Sequence, residues 1–185
     1  MLYYGIENHG GWSQMVTAGS VIVLEKGRSH KLVNLGAGIM EHLVIVSPPF
    51  DPDDVHEVKV DLISGFSYQT KNFPVGFPEP EDCFDGARIL SYSLPPEFDL
   101  SIAFGWVRND PACRKKPHYH KETREWVYVI NGDVFLESWG MSFEAGSWLS
   151  ITAGEEHGFT NLQPEALCLV AICSPKFSME DVRYL

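Results

Sequence analysis

Positive charge is the first thing this sequence is short of. Against 25 Asp+Glu it carries only 14 Lys+Arg, a formal net charge of −11. A phosphate backbone or an anionic bilayer would repel most of such a surface, which excludes a general nucleic-acid or membrane-surface binder. Long apolar runs are missing too: stretches such as Leu167–Cys173 fall far short of the roughly 20 residues of a spanning helix. The opening residues, Met1 to His9, have neither the basic n-region nor the apolar h-region of a secretory leader. Cysteine is sparse, and Cys83, Cys113, Cys168 and Cys173 show no C-x-x-C spacing. A cytoplasmic chain with reduced, mostly buried thiols is therefore expected. Cys168 and Cys173 should face opposite sides of one strand, while Cys113 sits in a loop near the site described below. Helical periodicity is also lacking, and the tail Phe177–Arg183 allows one turn at most.

What the chain does have is an internal repeat. Residues 1–58 align with 128–185 without a gap, and 15 of those 58 positions are identical. Gly5 falls on Gly132, Trp12 on Trp139, and Ala18, Gly19 and Ser20 on Ala145, Gly146 and Ser147. Gly27 falls on Gly154, His30 on His157, Asn34 and Leu35 on Asn161 and Leu162, and Ile45 on Ile172. Ser47 and Pro48 fall on Ser174 and Pro175, Phe50 on Phe177, and Asp54 and Val55 on Asp181 and Val182. Each copy alternates short β-rich runs with Gly, Pro and Asn punctuation: Val21–Leu24, His30–Asn34 and His42–Val46, then Trp148–Ile151, His157–Asn161 and Leu167–Cys173. Further runs cover Ala87–Ser93 and Leu100–Val107. This pattern predicts an all-β sandwich or barrel. Residues 59–83, with Pro74, Pro78 and Pro80 among several acids, read as a surface connector.

The sharpest local signal is His118-Tyr119-His120 followed by Glu125 and Gly132. Residues two apart on a strand share a face, so His118 and His120 point inward together while Tyr119 points away. Glu125 lies an odd number of residues further on, and the polar Lys121–Arg124 supplies the turn that brings it back inward, followed by Val127 and Val129. His157 starts a strand in the repeated unit and reaches the same point from across the barrel. Three imidazoles and a carboxylate suit a borderline divalent transition metal such as Fe, Mn, Ni, Zn or Cu, with two octahedral positions left for water or substrate. A buried carboxylate without a partner costs several kcal/mol, and a cation is the simplest compensation.

These residues resemble the cupin family. Residues 118–132 match its first motif: His-x-His, four residues, Glu, six residues, Gly. Residues 146–161 match its second, with Gly146, Gly154, His157 and Asn161 in place. Two loop positions depart from the pattern: Ala112 stands for the opening glycine and Thr152 for a proline. The resemblance implies a cupin-type double-stranded β-helix, a jelly-roll barrel, complete over residues 84–185. It carries the metal-ligand role onto His118, His120, Glu125 and His157. Residues 1–58 match only the second motif, through Gly19, Gly27, His30 and Asn34, so they form a partial, degenerate repeat. Counterparts of His118, His120 and Glu125 would precede Met1, which makes His30 a structural relic rather than a ligand. Half a barrel exposes sheet edges and an apolar face, so it should pack on the complete module or pair with another chain. A homodimer is expected, as is frequent among similar cupins.

Phe159 shares a face with His157 by alternation, and with Val127 and Val129 it should line a pocket suited to a small organic substrate. The basic run Arg114-Lys115-Lys116 just ahead of His118 offers steering for an anionic one. The favoured function is a metal-dependent, dioxygenase-like oxidoreductase in which Glu125 also accepts a proton. A sugar or keto-acid isomerase or epimerase is one alternative, and Arg124-Glu125-Trp126 loosely resembles the pattern of cupin-type phosphomannose isomerases. A non-catalytic ligand-binding or sensing module is the other.

Overall fold

Strands form here where β-branched and aromatic residues are bounded by tight turns, and in the computed structural model they are the main regular elements. It describes residues 2–6, 10–17, 20–57, 81–82, 87–92, 94, 98–110 and 116–185. Among the described residues the helical content is a single 3-10 turn, Pro52–Asp54. The chain divides into two compact units, Met1–Pro74 and Val75–Leu185.

The second unit carries β4 (Glu81–Asp82), β5 (Ala87–Tyr92), β6 (Ser101–Val107), β7 (His118–His120), β8 (Arg124–Asn131), β9 (Val134–Leu136), β10 (Met141–Phe143), β11 (Trp148–Ile151), β12 (Phe159–Asn161), β13 (Leu167–Ser174) and β14 (Val182–Tyr184). One antiparallel sheet runs β11-β8-β13-β6-β5-β4. The other layer comprises β10-β9-β12 and β14-β7, which meet where His157 pairs with His118. From β6 onward the chain alternates between the two layers, with only the β9–β10 hairpin staying in one. This winding is the expected double-stranded β-helix, or jelly roll.

The core follows from the alternation. On β8, Glu125, Val127 and Val129 are buried while Arg124 is exposed and Trp126 and Tyr128 are half-buried. Val127, Val129, Leu149, Ile151, Leu167 and Leu169 from the larger sheet meet Val134, Leu136 and Phe159 from the smaller one. Each fully buried side chain of this size contributes about 1.5–3 kcal/mol. Gly132, between β8 and β9, has φ +83° and a Cβ there would stand 3.2 Å from the Leu167 Cα, so both conformation and space demand glycine.

In the first unit β1 (Leu2–Ile6), β2 (Gly10–Gln14) and β3 (Ser29–Leu32) form a three-stranded sheet in the order β2-β1-β3. Here the sequence expectation needs correcting. Val21–Leu24 and His42–Val46 join no ladder, because β propensity becomes a strand only against a neighbour. Val44 and Ile45 are exposed, and Ile39 is 93% exposed. Two further strands belong to the second unit. Glu81 and Asp82, assigned to the connector, pair with β5 as β4. The tail continues past its turn into β14, which pairs with β7.

The aligned loops make matching bonds. Gly27 and Gly154 both have positive φ, 76° and 81°. His30 Nδ1 lies 3.2 Å from the Arg28 carbonyl, and His157 Nδ1 lies 2.9 Å from that of Glu155. Asn34 donates to the Gly38 carbonyl and accepts from the Gly36 N–H. Asn161 likewise donates to the Glu165 carbonyl and accepts from the Gln163 N–H. Cys168 is half-buried and Cys173 buried. Cys83, Cys113, Ala112, Ala18, Gly19, Arg114, Lys115 and most of the connector lie outside the described residues.

Candidate metal centre

Three imidazoles converge at one end of the second unit. One ligating nitrogen from each of His118, His120 and His157 lies within 4.8 Å of the others, the only such group of three or more among the described residues. His118 and His120 flank Tyr119 on β7, as the period of two requires. His157 does not arrive from across the barrel. It sits beside His118 on the adjacent strand, each N–H donating to the other's carbonyl at 2.8–2.9 Å. Periodicity assigns a side chain to a face but does not name its neighbouring strand, which is why the sequence misplaced it.

The group that crosses between layers is Glu125, on β8. The chain bends at Lys121–Glu122, β8 starts at Arg124, and Glu125 faces the interior at 7% exposure. Its Oε2 stands 3.0 Å from His157 Nε2 and 3.7 Å from His120 Nε2. His157 is completely buried and His120 is 3% exposed.

The donor set fits a cation. A carbonyl oxygen only accepts, so His157 Nδ1, 2.9 Å from the Glu155 carbonyl, must carry the hydrogen. In the neutral ring Nε2 then holds a bare lone pair, aimed at a carboxylate oxygen 3.0 Å away. Lone pair against anion is repulsive. Only a positive charge between them, a shared proton or a metal ion, turns the contact favourable. His118 Nδ1 is 3.3 Å from the Lys116 carbonyl, which leaves its Nε2 bare in the same way.

Burial, joined by the neighbouring His157, lowers the His118 pKa from 6.5 to about 4, against the opposing pull of the Lys116 carbonyl and Glu125. The imidazole is thus a free base, able to ligate, well into the acid range. The unfolded chain binds this proton near pH 6.5 and the folded chain only near 4. Its contribution to stability is therefore full above about pH 6.5 and is lost as pH falls through that window. In chelator, denaturation of the metal-free protein from pH 7 to 4 should show falling stability, with a shallower fall in His118→Gln. Identical slopes would refute this role.

Around the imidazoles stand three rings: Tyr184 at 5.8 Å from His118, Phe177 at 5.8 Å from His120 and Phe159 at 5.7 Å from His157. Tyr184 and Phe177 are exposed and form a rim, whereas Phe159, Val127 and Val129 belong to the closed core. Asp181 also lies here, its Oδ2 3.6 Å from His120 Nδ1. Burial favours its protonated form, but hydrogen bonds from Thr123 and Glu122 outweigh that and hold its pKa below the usual carboxylate range. Phe177, Asp181 and Tyr184 were missed in the sequence. The signal for two of them was there, since Phe50 and Phe177, and Asp54 and Asp181, are identities of the repeat. Arg124 lies on the face opposite Glu125, its guanidinium 5.9 Å over the Trp126 ring, so the two do not meet at the centre.

The departure at Thr152 has a physical explanation. Its N–H and hydroxyl both donate to the Glu155 carboxylate, at 2.9 and 3.0 Å. A proline would forfeit the first bond. In the aligned positions Glu25 accepts from Arg28 instead, with the roles reversed.

No family model and no curated protein matches this chain. Solved structures do. A variant of PAC13 from Streptomyces, with uridine, is 16% identical at a TM-score of 0.50, covering 63% of this chain and 92% of that one. KdgF from Halomonas sp. is 22% identical at 0.45, covering 54% and 89%. A conserved protein with a double-stranded β-helix domain from Klebsiella pneumoniae is 15% identical at 0.45, covering 58% and 90%. The strand order, with the likeness to PAC13, gives the fold: a cupin-type double-stranded β-helix. Within it, the chain presents a three-histidine cluster compatible with a metal site.

Proposed function

We propose that this chain is a divalent-metal-dependent enzyme, dioxygenase-like, acting on a small organic molecule. One observation carries the proposal: His157, its Nδ1–H held by a main-chain carbonyl, turns a bare nitrogen onto the buried Glu125 carboxylate at 3.0 Å. His118, His120, Glu125 and His157 would hold one Fe, Mn, Ni, Zn or Cu ion. Once bound, such an ion supplies a Lewis acid and, if redox-active, a relay of electrons to dioxygen.

The side chains have their own parts. Glu125, within reach of two imidazoles, would ligate the ion or, released from it, hold a proton taken from substrate. Tyr184 and Phe177 offer ring faces to the flat part of a substrate and shed water from the mouth. Lys116, exposed just ahead of β7, places positive charge there for an anionic substrate.

The test is oxygen consumption by the Fe(II)-loaded protein with a panel of catechols, 1,3-diketones, hydroxy acids and uridine, the ligand of PAC13. Uptake with at least one compound is expected, reduced by about 10²-fold or more in Glu125→Gln. Turnover of a carbonyl compound without oxygen uptake would make the chain an isomerase or epimerase. Tight binding without turnover would make it a sensing module.

A further inference from the structure

We infer that Asp181 is a positioning residue for this centre: its carboxylate, delivered by the C-terminal turn, holds the His120 ring through Nδ1. The inference rests on the metal proposal above and deepens it. His118 and His157 each have a main-chain carbonyl behind Nδ1, from Lys116 and Glu155. His120 has none. It is 97% buried by its 3% exposure, and its Nδ1 makes no hydrogen bond. The acceptor it faces is Asp181 Oδ2 at 3.6 Å, just beyond hydrogen-bond range, while its Nε2 stands 3.7 Å from Glu125. The ring thus hangs between two carboxylates, one on each nitrogen.

Asp181 is itself fixed. Its Oδ1 accepts from the Glu122 N–H at 2.9 Å and its Oδ2 from the Thr123 N–H at 3.1 Å. Its carbonyl accepts from the Lys121 N–H at 3.1 Å, and its N–H donates to the Ser178 carbonyl at 3.1 Å. The ring is the freer partner, and a shift of roughly half an ångström at Nδ1 closes the bond. An acceptor there selects the Nδ1–H tautomer, turns bare Nε2 toward Glu125 and makes that nitrogen a better donor to a cation. Every imidazole of the cluster then has an acceptor behind it, two from the main chain and one from the tail.

Two measurements decide the matter. In the metal-free wild type, ring-nitrogen NMR should find His120 in the Nδ1–H tautomer, as for His157. A hydrogen on Nε2 would overturn the inference, and this result needs no variant. Zn(II) affinity, read by competition with a chromophoric chelator, should weaken about 10–100-fold in Asp181→Asn. That variant keeps an amide oxygen for the Glu122 N–H, and its melting temperature is followed in parallel. Unchanged Zn(II) affinity, even with a lowered melting temperature, would reduce Asp181 to a structural tie and sink the proposal. Failure of the wild type to bind Zn(II) would instead defeat the metal proposal, leaving the tautomer to judge Asp181.

Discussion

The wild type is expected to retain about one divalent ion per chain through purification, and His120→Ala and His157→Ala should each lose most of it. Removing a ligand acts directly on the ion, so the loss should exceed the roughly 10–100-fold commanded by residues that only orient ligands. The far-UV signal should remain that of a β protein, because both side chains sit at one end of the barrel and the packed layers below do not depend on them. His30→Ala is the control. Its imidazole is exposed, and no second cluster of metal-ligating groups exists among the described residues. Elemental analysis after exhaustive dialysis, with circular dichroism on the same samples, checks all three. Full occupancy in both His120→Ala and His157→Ala would remove the site.

The second large effect concerns stability. Asn161, 2% exposed, donates from Nδ2 to the Val107 carbonyl at 2.8 Å and the Glu165 carbonyl at 2.6 Å, and accepts from the Gln163 N–H at 2.8 Å. It clasps its own loop and ties that loop to β6. Asn161→Ala strands these main-chain groups in or beside the core, so the cost should reach about 2–4 kcal/mol. Asn34 makes the same local clasp in the first unit but is exposed, and water replaces what Asn34→Ala removes. There the cost should stay below about 1 kcal/mol. Urea denaturation of the two variants separates the contributions of the clasp and of its burial. Equal losses would mean that burial adds nothing.

Much of the centre was legible because strand geometry is strict. Two histidines separated by one residue had to share a face, and a polar stretch before Glu125 had to hide a bend if Val127 and Val129 were to follow it inward. Other features were not legible, for reasons equally physical. Sequence periodicity carries no record of which strands lie side by side, so His157 was placed opposite His118 when it is its hydrogen-bonded neighbour. Val21–Leu24 and His42–Val46 have the composition of strands but join no ladder, since pairing depends on partners as well as propensity. Phe177, Asp181 and Tyr184 come from a tail that looked like a loose turn. Only its pairing with β7 brings them to the imidazoles.

The bond from the His157 ring to a carbonyl two residues upstream has a consequence for how such a centre can arise. The same short-range contact recurs at His30, within a loop of the same glycine and asparagine grammar. Ring orientation is therefore written into the local chain, from a carbonyl two residues upstream. A loop of this kind is a portable cassette: grafted beside other donors it arrives already aimed, and stripped of them it can persist as plain scaffolding.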